Sequence, residues 1–312
     1  MSGQGASTVE LGASGVRVAP LGVGAMSWAN HSPLGYGGAD SPAEEARALD
    51  ASLAAGVTLV DTAEAYGRGR SERRVGELAR EHAEVVVATK YAPYPFRRAD
   101  ALPGALERSL ARLGRIDLYQ FHWVPRFVPV PALLRRLEAA YREGRIGAIG
   151  VSNFDAAQLR AAHAELARAG VPLASNQVQY SLVHRAPEVD GVLETCRELG
   201  VALIAYSPLG MGALTGKYGP GRRPGGIRRL VPHFRARRIG ALVPLLDLLA
   251  EIAQHHGATR SQAALRWLIE QGAVPIPAAK NGQQAAANAG ALALALEIGE
   301  LEALSAATTP WR

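Results

Sequence analysis

The chain has 312 residues, 48% of them hydrophobic, a length that one α/β barrel domain with a single core commonly reaches. No apolar run approaches the roughly 20 residues that cross a bilayer, and residues 1–7 lack a secretory signal, so we expect a cytoplasmic protein without a membrane span. The formal charge of +6 falls to −2 once the eight cations between residues 217 and 240 are removed (6 − 8), so the basicity is local and does not favour a nucleic-acid-binding protein.

Short β-branched runs alternate with longer amphipathic segments, a pattern typical of repeated βα units. A hairpin is predicted first, over residues 8–18, because two apolar runs flank a turn at Gly12-Ala13-Ser14-Gly15, and we expect it to close the barrel floor. Eight units favour a closed (β/α)8 TIM barrel because closure removes the sheet edges, and an open Rossmann sheet is the main alternative. The eight strands are predicted at residues 21–24, 58–60, 85–89, 118–122, 146–151, 174–178, 201–206 and 274–277.

Helical patterns lie between these strands, among them residues 41–55, 71–82, 155–169 and 261–270. Ser41, Ser71, Asp155 and Ser261 stand where helix N-caps are expected. The single Cys196 lies in another helical pattern, and we expect a buried, unreactive thiol there.

One long irregular stretch, residues 207–238, follows the seventh strand and is rich in Gly, Pro and Arg. Long loops in compact domains are usually functional or disordered, and we interpret this one as a flap over the site. Its cations are either solvated or in contact with an anionic cofactor or substrate. Elsewhere the chain uses arginine, and its only lysines are Lys90, Lys217 and Lys280, which suggests a need for a compact amine at these positions.

Polar side chains follow nearly every predicted strand. In a barrel the carboxyl ends of all strands open on one face, where active sites are assembled. Each such residue alone could be a cap, a packing residue or a surface residue, but their common location favours a site. In chain order they are Asp61, Glu64, Tyr66, Lys90, His122, Ser152, Asn153, Asn176, Gln177, Tyr206, Ser207 and Lys280.

Four of these residues predict a site that donates a proton to a developing alkoxide. A free phenol has a pKa of about 10, and the Lys90 ammonium would lower the pKa of Tyr66 by favouring the phenolate. Asp61 would pair with Lys90 and keep it charged. His122 would then orient the carbonyl oxygen by a hydrogen bond.

Other barrel chemistries fit less well. A glycosidase needs two opposed carboxylates, whereas only Asp61 and Glu64 are available, three residues apart in one loop. A zinc hydrolase needs several converging ligands, and the strand ends offer one histidine. We therefore predict no metal, and a barrel hydrolase is the weaker alternative.

Six motifs lie at or after these strand ends: Asp61-Thr62-Ala63-Glu64-Ala65-Tyr66-Gly67, Ala88-Thr89-Lys90, Gln120-Phe121-His122-Trp123, Gly150-Val151-Ser152-Asn153-Phe154, Asn176-Gln177-Val178-Gln179-Tyr180 and Tyr206-Ser207-Pro208-Leu209-Gly210. Through these motifs the chain resembles the aldo-keto reductases over essentially its whole length. The resemblance implies NADPH-dependent reduction of an aldehyde or ketone, with Tyr66 as general acid/base, Lys90 and Asp61 tuning it, and His122 positioning the substrate. It also implies a nicotinamide cofactor bound without a Rossmann fingerprint, and no G-x-G-x-x-G follows a strand here.

The same resemblance implies a set of cofactor contacts, from the nicotinamide to the adenine. Lys280 matches the position used for the 2′-phosphate, and an ammonium facing a dianion favours NADP over NAD. Ala278 and Ala287 depart from the Gly and the acid that the family often has, so the adenine contacts differ. The implied contacts are Ser152, Asn153 and Gln177 to the carboxamide, Tyr206 stacked on the nicotinamide, Ser207, Leu209, Gly210 and Gly212 near the pyrophosphate, Lys217 to a phosphate, and Gln284 and Asn288 at the adenine.

Three further motifs are Met26-Ser27-Trp28, Leu34-Gly35-Tyr36-Gly37 and Thr89-Lys90-Tyr91-Ala92-Pro93-Tyr94-Pro95. Within the family, they look like the pyridoxal-reductase-like branch. Trp28, Tyr91 and Trp123 stand at strand ends and could wall a ring-shaped aldehyde such as pyridoxal, with ordinary packing at the rim as the alternative. The partner is then a small-molecule carbonyl substrate; the oligomeric state stays open. A nucleotide-sensing regulatory protein of the same fold, with little turnover, is the second functional hypothesis.

Overall fold

Two sheets organise the computed structural model, which describes residues 8–29, 41–95 and 97–311. The first sheet is an antiparallel hairpin of β1 (Val9–Glu10) and β2 (Arg17–Val18). The second contains eight parallel strands that neighbour one another in chain order. They are β3 (Gly22–Gly24), β4 (Leu59–Asp61), β5 (Val86–Tyr91), β6 (Leu118–Phe121), β7 (Ile149–Ser152), β8 (Leu173–Gln179), β9 (Ala202–Tyr206) and β10 (Ala273–Pro275).

The eight strands curl into a barrel whose first and last members meet. Gly24 at the end of β3 forms a parallel bridge with Ala278, and its N–H donates to the carbonyl of Pro277 at 3.0 Å. The predicted (β/α)8 barrel is therefore confirmed over the open Rossmann sheet. All eight predicted strands are found, with ends shifted by a few residues.

Helices surround the barrel between successive strands. None in the described ranges is both long and apolar enough to cross a bilayer. The helices are α1 (Pro42–Ala54), α2 (Arg70–Ala79), α3 (Ala101–Leu113), α4 (Val130–Arg142), α5 (Ala156–Arg168), α6 (Ala186–Val189), α7 (Val192–Leu199), α8 (Ala236–Ile239), α9 (Leu242–His255), α10 (Arg260–Glu270), α11 (Gly282–Ala289) and α12 (Ile298–Ala307).

Two of the four predicted N-caps are confirmed and two are wrong. Ser41 accepts from the backbone N–H of Glu44 at the start of α1, and Asp155 forms a capping box at the start of α5. Ser71 instead lies inside α2 and donates to the carbonyl of Ala25 at 2.8 Å, because it is buried. Helix α10 begins earlier than expected, with Thr259 and not Ser261 as its cap.

Apolar side chains fill two layers. The larger layer lies between strands and helices, and includes Cys196, which is buried as expected. Burial raises the pKa of its thiol to about 12, which disfavours the reactive thiolate. The smaller layer lies inside the barrel, where Leu11 and Val18 from the hairpin pack on residues near the beginnings of the strands. The hairpin therefore closes the barrel floor, as predicted. Residues 1–7 and the motif at residues 34–37 lie outside the described residues.

Candidate active site

A buried ion pair joins two neighbouring strands at the upper end of the barrel. Asp61 ends β4, and Lys90 is the penultimate residue of β5; their side chains are 4% and 1% exposed. The Lys90 ammonium donates to Asp61 Oδ1 and, at 2.8 Å, to the carbonyl of Thr62. The second Asp61 oxygen accepts from the side-chain amides of Gln177 at 2.9 Å and Gln120 at 3.3 Å. Both charges are thus compensated, as a buried pair requires.

Gln120 is part of this network, although the sequence analysis gave it no role. Its side chain points into the barrel because Leu118, two residues earlier on β6, also does. The period-two alternation of a strand was the signal that could have placed it.

Tyr66 and His122 complete the set of four predicted residues. Tyr66 lies in the loop after β4, with its ring centre 5.3 Å from Lys90 Nζ. The His122 ring meets the Tyr66 ring edge-on, with centroids 5.4 Å apart and planes at 83°. The structure therefore brings the phenol, the amine and the imidazole together at the mouth of the barrel.

Burial and charge act in opposite directions on the phenol and the amine. Burial raises the pKa of Tyr66 above its ordinary value, and the nearby Lys90 ammonium only partly offsets this. Burial alone would lower the pKa of Lys90, but Asp61 and Tyr66 outweigh it and the net direction is upward. The influence of Lys90 on Tyr66 thus has the expected sign, whereas the expectation of a net lowered pKa for Tyr66 is wrong because burial dominates.

His122 is held as a neutral imidazole. Burial, helped by the charge of Lys90, lowers its pKa to about 3. Its Nδ1 atom is buried and finds no hydrogen-bond partner within the described part of the chain. A neutral imidazole carries one N–H donor and one acceptor nitrogen, so the ring can hydrogen-bond either a carbonyl oxygen or a hydroxyl group.

Four residues expected at the nicotinamide end lie in one hydrogen-bonded group beside His122. The Tyr206 hydroxyl donates to Asn153 Oδ1 at 3.0 Å, and Asn153 Nδ2 donates to the carbonyl of His122 at 3.2 Å. Ser152 Oγ donates to the backbone carbonyl of Gln177 at 2.7 Å. The Gln177 side-chain amide is already bonded to Asp61, so this group is tied directly to the buried ion pair.

The segment after β9 has an unusual backbone. Ser207, Gly210, Met211 and Gly212 all have positive φ, from 52° to 94°. A Cβ on Gly210 would lie 2.6 Å from a methyl of Val183, and one on Gly212 would lie 2.8 Å from the Cε of Lys217. Backbone of this kind forms anion-binding concavities, so a glycine-lined cradle beside an ammonium fits a phosphate-bearing group. Leu209 precedes this turn, and its carbonyl accepts from the N–H of Gly212.

The residues expected at the adenine end also lie together. Gln284 Oε1 accepts from the backbone N–H of Lys280 at 3.0 Å, at the beginning of α11. Asn288, one turn further along α11, donates to the carbonyl of Ala278 at 3.3 Å. The structure therefore places Lys280, Gln284 and Asn288 next to the end of the last strand.

Of the three aromatic residues expected to wall the substrate, Trp123 lines the open cleft beside His122. The cleft has a volume of about 820 Å³, and the Trp123 ring lies 4.8 Å from that of His122. Its lining residues are Pro93, Pro95, Trp123, Val124, Pro125, Arg126, Phe127 and Asn153.

The other two aromatic residues do not line this cleft. Because Lys90 points into the barrel, Tyr91 must point outward, and it is 1% exposed beneath Arg97 in the layer between strands and helices. Trp28 is 3% exposed, and its indole N–H donates to the carbonyl of Ala279 at 2.8 Å. Tyr91 therefore does not have the expected placement, and Trp28 presents little surface to a ligand.

Comparison with known proteins agrees with this geometry. The Aldo/keto reductase family matches residues 20–308. Chloroplastic pyridoxal reductase from Arabidopsis thaliana is 39% identical over 292 residues, which are 88% of this chain and 79% of that protein. An uncharacterised oxidoreductase of Mycobacterium bovis is 40% identical over 298 residues, which are 93% of this chain and 87% of that protein.

Solved structures show the same architecture. A thermostable aldo-keto reductase in complex with the inhibitor epalrestat superimposes with a TM-score of 0.78 and 30% identity, over 96% of this chain and 99% of the other. Glycerol dehydrogenase from Gluconobacter oxydans superimposes with a TM-score of 0.84 and 25% identity, over 97% of this chain and 95% of the other.

The fold and site thus define a nicotinamide-dependent oxidoreductase built on a (β/α)8 barrel. The chain belongs to the aldo/keto reductase family.

Proposed function

We propose that this protein reduces an aldehyde or ketone to an alcohol with NADPH, with Tyr66 as the proton donor. The observation that carries the proposal is the Lys90 ammonium, which is held by Asp61 and lies 5.3 Å from the centre of the Tyr66 ring. The bound nicotinamide supplies the hydride that reaches the carbonyl carbon. The chain's own residues must then deliver a proton to the carbonyl oxygen.

Each of the four residues has a distinct task in that proton delivery. Tyr66, whose raised pKa keeps it protonated near neutral pH, gives its proton to the oxygen as negative charge develops there. The Lys90 ammonium stabilises the phenolate that remains. Asp61 fixes the amine, and neutral His122 orients the carbonyl by a hydrogen bond.

Replacement of Tyr66 by Phe tests this assignment. We expect kcat to fall by about 10²- to 10⁴-fold, the usual contribution of a positioned acid, while NADPH affinity, measured by fluorescence titration, is retained. Tyr141, which lies on α4 and is partly buried, offers a matched Tyr→Phe control with full activity. A parent protein that binds NADPH tightly but reduces no carbonyl would favour the nucleotide-sensing alternative.

The proposed preference for NADP over NAD rests on Lys280, and Lys217 offers a second ammonium to the phosphates of the cofactor. Lys217 lies against Gly212, and Lys280 is next to Gln284. We propose that Lys280 meets the 2′-phosphate and Lys217 another phosphate, since an ammonium pairs well with a phosphate dianion. Comparison of kcat/KM with NADPH and NADH, in the parent and in Lys280→Met, tests the preference, which should shrink in the variant.

For the substrate we propose an aromatic aldehyde such as pyridoxal. The Arabidopsis relative is named a pyridoxal reductase, and the cleft beside His122 offers the Trp123 ring as a stacking surface. NADPH consumption with pyridoxal and with simple aromatic aldehydes decides between them. Equally low rates of NADPH consumption with all of these aldehydes would rule out pyridoxal as the preferred substrate.

We also propose that residues 1–312 act as one cytoplasmic barrel domain, with residues 207–238 as a flap over the cofactor. His233 in this segment bonds to the carbonyl of Gly210 at 2.9 Å, which holds the segment on the glycine-lined cradle. Trypsin cleavage within the flap, which is rich in arginine, should slow when NADP is added. Cleavage at the same rate with and without NADP would contradict the flap assignment.

A further inference from the structure

Among the described residues that line the cleft beside His122, one has a charged side chain, Arg126. The other seven lining residues are three prolines, Trp123, Val124, Phe127 and Asn153. The cleft adjoins the candidate catalytic set, because Trp123 contacts His122 and Asn153 donates to the His122 carbonyl. A carbonyl group placed at Tyr66 and His122 would therefore extend its remaining atoms toward this surface.

Arg126 differs from the other arginines close to the cleft. Arg97 forms an ion pair with Glu64, and Arg98 lies 3.6 Å from Asp100. Arg126 is exposed, and in the described ranges no carboxylate, hydrogen-bond acceptor or aromatic ring pairs with its guanidinium. The cleft thus combines apolar walls with an uncompensated cation whose planar fork suits a carboxylate or a phosphate.

We propose that Arg126 forms a subsite for an anionic substituent, a carboxylate or phosphate, on an aromatic carbonyl substrate. This inference rests on the proposed carbonyl reduction. The ring of the substrate would lie on Trp123, its carbonyl would face Tyr66, and its anionic group would meet Arg126. Substrate choice would then be set by charge as well as by ring shape.

Two pairs of aldehydes of similar shape test the subsite: 4-formylbenzoate against its methyl ester, and pyridoxal 5′-phosphate against pyridoxal. The expected result is a kcat/KM about tenfold higher for the charged member of at least one pair, the effect of one charged hydrogen bond. The pair that shows it identifies the anion as a carboxylate or a phosphate. All rates are measured at one ionic strength, because screening weakens exposed charges.

Arg126→Gln should bring the charged-to-neutral ratio close to one, and Arg126→Lys should restore part of it. Arg98→Gln is the matched control: it removes an equal charge from an exposed arginine outside the cleft lining and should leave the charged-to-neutral ratio as in the parent.

Charged-to-neutral ratios near one in the parent, with good turnover of the neutral aldehydes, would overturn the subsite and leave the proposed function intact. A charged preference that survives in Arg126→Gln would also overturn it. No turnover of any aldehyde would refute the proposed function itself.

A second, independent observation lies on the outer helices. His255 ends α9, His256 caps it, and Glu300 lies in the first turn of α12. His255 Nδ1 is 3.1 Å from Glu300 Oε1, and His256 Nε2 is 2.8 Å from Glu300 Oε2. One ligand atom from each residue lies within 4.8 Å of the other two. Two imidazoles and one carboxylate, converging with an open side to solvent, are the ligands that zinc and similar divalent ions take.

We infer that these three residues form a binding site for a divalent transition metal, away from the strand ends. A bound ion would join the end of α9 to the beginning of α12 and so stabilise the fold. The probe is zinc chloride, titrated by calorimetry into protein without a histidine tag. We expect one saturable site per chain, and His256→Ala or Glu300→Gln should weaken the affinity by about tenfold or more.

His82 provides a matched control for this site. It lies 3.6 Å from both Asp50 and Glu84, but adds only one imidazole, so His82→Ala should leave the zinc affinity of the parent unchanged. Zinc should also raise the Tm of the parent and not that of His256→Ala, since only a ligand that binds the native state stabilises it. Absence of saturable binding in the parent, or equal affinity in His256→Ala, would overturn the site.

Discussion

Burial shifts the pKa values of two side chains of the candidate site in opposite directions. It raises the pKa of Tyr66, which stays a protonated phenol near neutral pH, and it lowers the pKa of His122 to about 3, which leaves a neutral imidazole. In both cases the low dielectric disfavours the charged form. The same environment therefore gives a proton donor and an uncharged hydrogen-bonding group without any change in the two side chains.

These directions predict a flat pH profile for carbonyl reduction between about pH 5 and pH 8. His122 would gain a proton only as the pH approaches its pKa of about 3, and Tyr66 would lose its proton only above the ordinary phenol value of about 10. The measurement is kcat/KM for aldehyde reduction against pH at fixed ionic strength. His122→Asn, which has no titrating imidazole, is the control.

An acidic limb near pH 6.5 that is present in the parent and absent in His122→Asn would contradict this prediction. Such a limb would mean that the His122 imidazole titrates as an exposed histidine does. A limb present in both proteins would belong to another group and would leave the assignment of a neutral His122 intact.

Between secondary-structure elements, a clamp joins the loop after β4 to the loop after β5. Glu64, in the first loop, accepts from the backbone N–H of Ala92 at 2.7 Å and pairs with Arg97. Arg97 also donates to the carbonyl of Ala92 at 2.7 Å and lies over the Tyr91 ring. The first loop carries Tyr66, so the clamp fixes the phenol relative to the strand that carries Lys90.

We expect Arg97→Ala to lower kcat by about tenfold or more with a smaller change in KM, because a displacement of about 1 Å in a catalytic group is this costly. Arg97 acts as a positioning residue and need not contact the substrate. Arg98→Ala, at the neighbouring and highly exposed position, is the control and should retain the parent kcat. Steady-state kinetics and circular dichroism of both variants separate a positioning effect from unfolding.

Retention of the parent kcat in a folded Arg97→Ala protein would contradict the clamp. An equal loss of kcat in Arg97→Ala and Arg98→Ala would also contradict the clamp, because it would reflect the loss of a positive charge in this loop. Glu64→Gln keeps the hydrogen bond from Ala92 and removes the ion pair with Arg97. Its kcat should lie between those of the parent and of Arg97→Ala.

The sequence was most informative about elements and least informative about side-chain partners. Strand positions follow from local β-branched runs, and the four catalytic candidates follow from their places at strand ends. The clamp could not be anticipated, because Glu64 and Arg97 lie 33 residues apart and pair only once both loops are folded. Tyr91 was misplaced because the alternation of strand side chains was not applied to it: once Lys90 is placed in the site, its neighbour points to the other face.

On the scale of the whole molecule, the candidate active site and the hairpin that covers the barrel floor lie at opposite ends of the barrel. The candidate site occupies the carboxyl ends of the strands, whereas the N-terminal hairpin covers their beginnings. Leu11 and Val18 from the hairpin are buried against the inner layer of the barrel. Because the hairpin lies at the opposite end of the barrel from the site, changes in the hairpin should affect stability without affecting the chemistry.

Two glycines of the hairpin turn test this separation. Gly12 and Gly15 both have positive φ, 59° and 79°, so alanine at either position incurs backbone strain of about 1 kcal/mol. A Cβ on Gly12 would also lie 2.9 Å from Ala174 Cα at the barrel floor, whereas one on Gly15 meets nothing within 4 Å. Steric overlap in a packed region adds about 1–3 kcal/mol, so Gly12→Ala should lower the free energy of unfolding clearly more than Gly15→Ala.

Urea unfolding of both variants measures the difference, and kcat of the folded proteins should match the parent in each case. The paired design matters because strain from the positive φ is common to both glycines, so the excess in Gly12→Ala isolates the contact between hairpin and floor. Equal losses in the two variants would mean that the hairpin is not seated on Ala174. A loss of kcat in folded Gly12→Ala would mean that floor and mouth are coupled, with the inner layer, which holds Leu11 and against which Tyr206 packs, as the route.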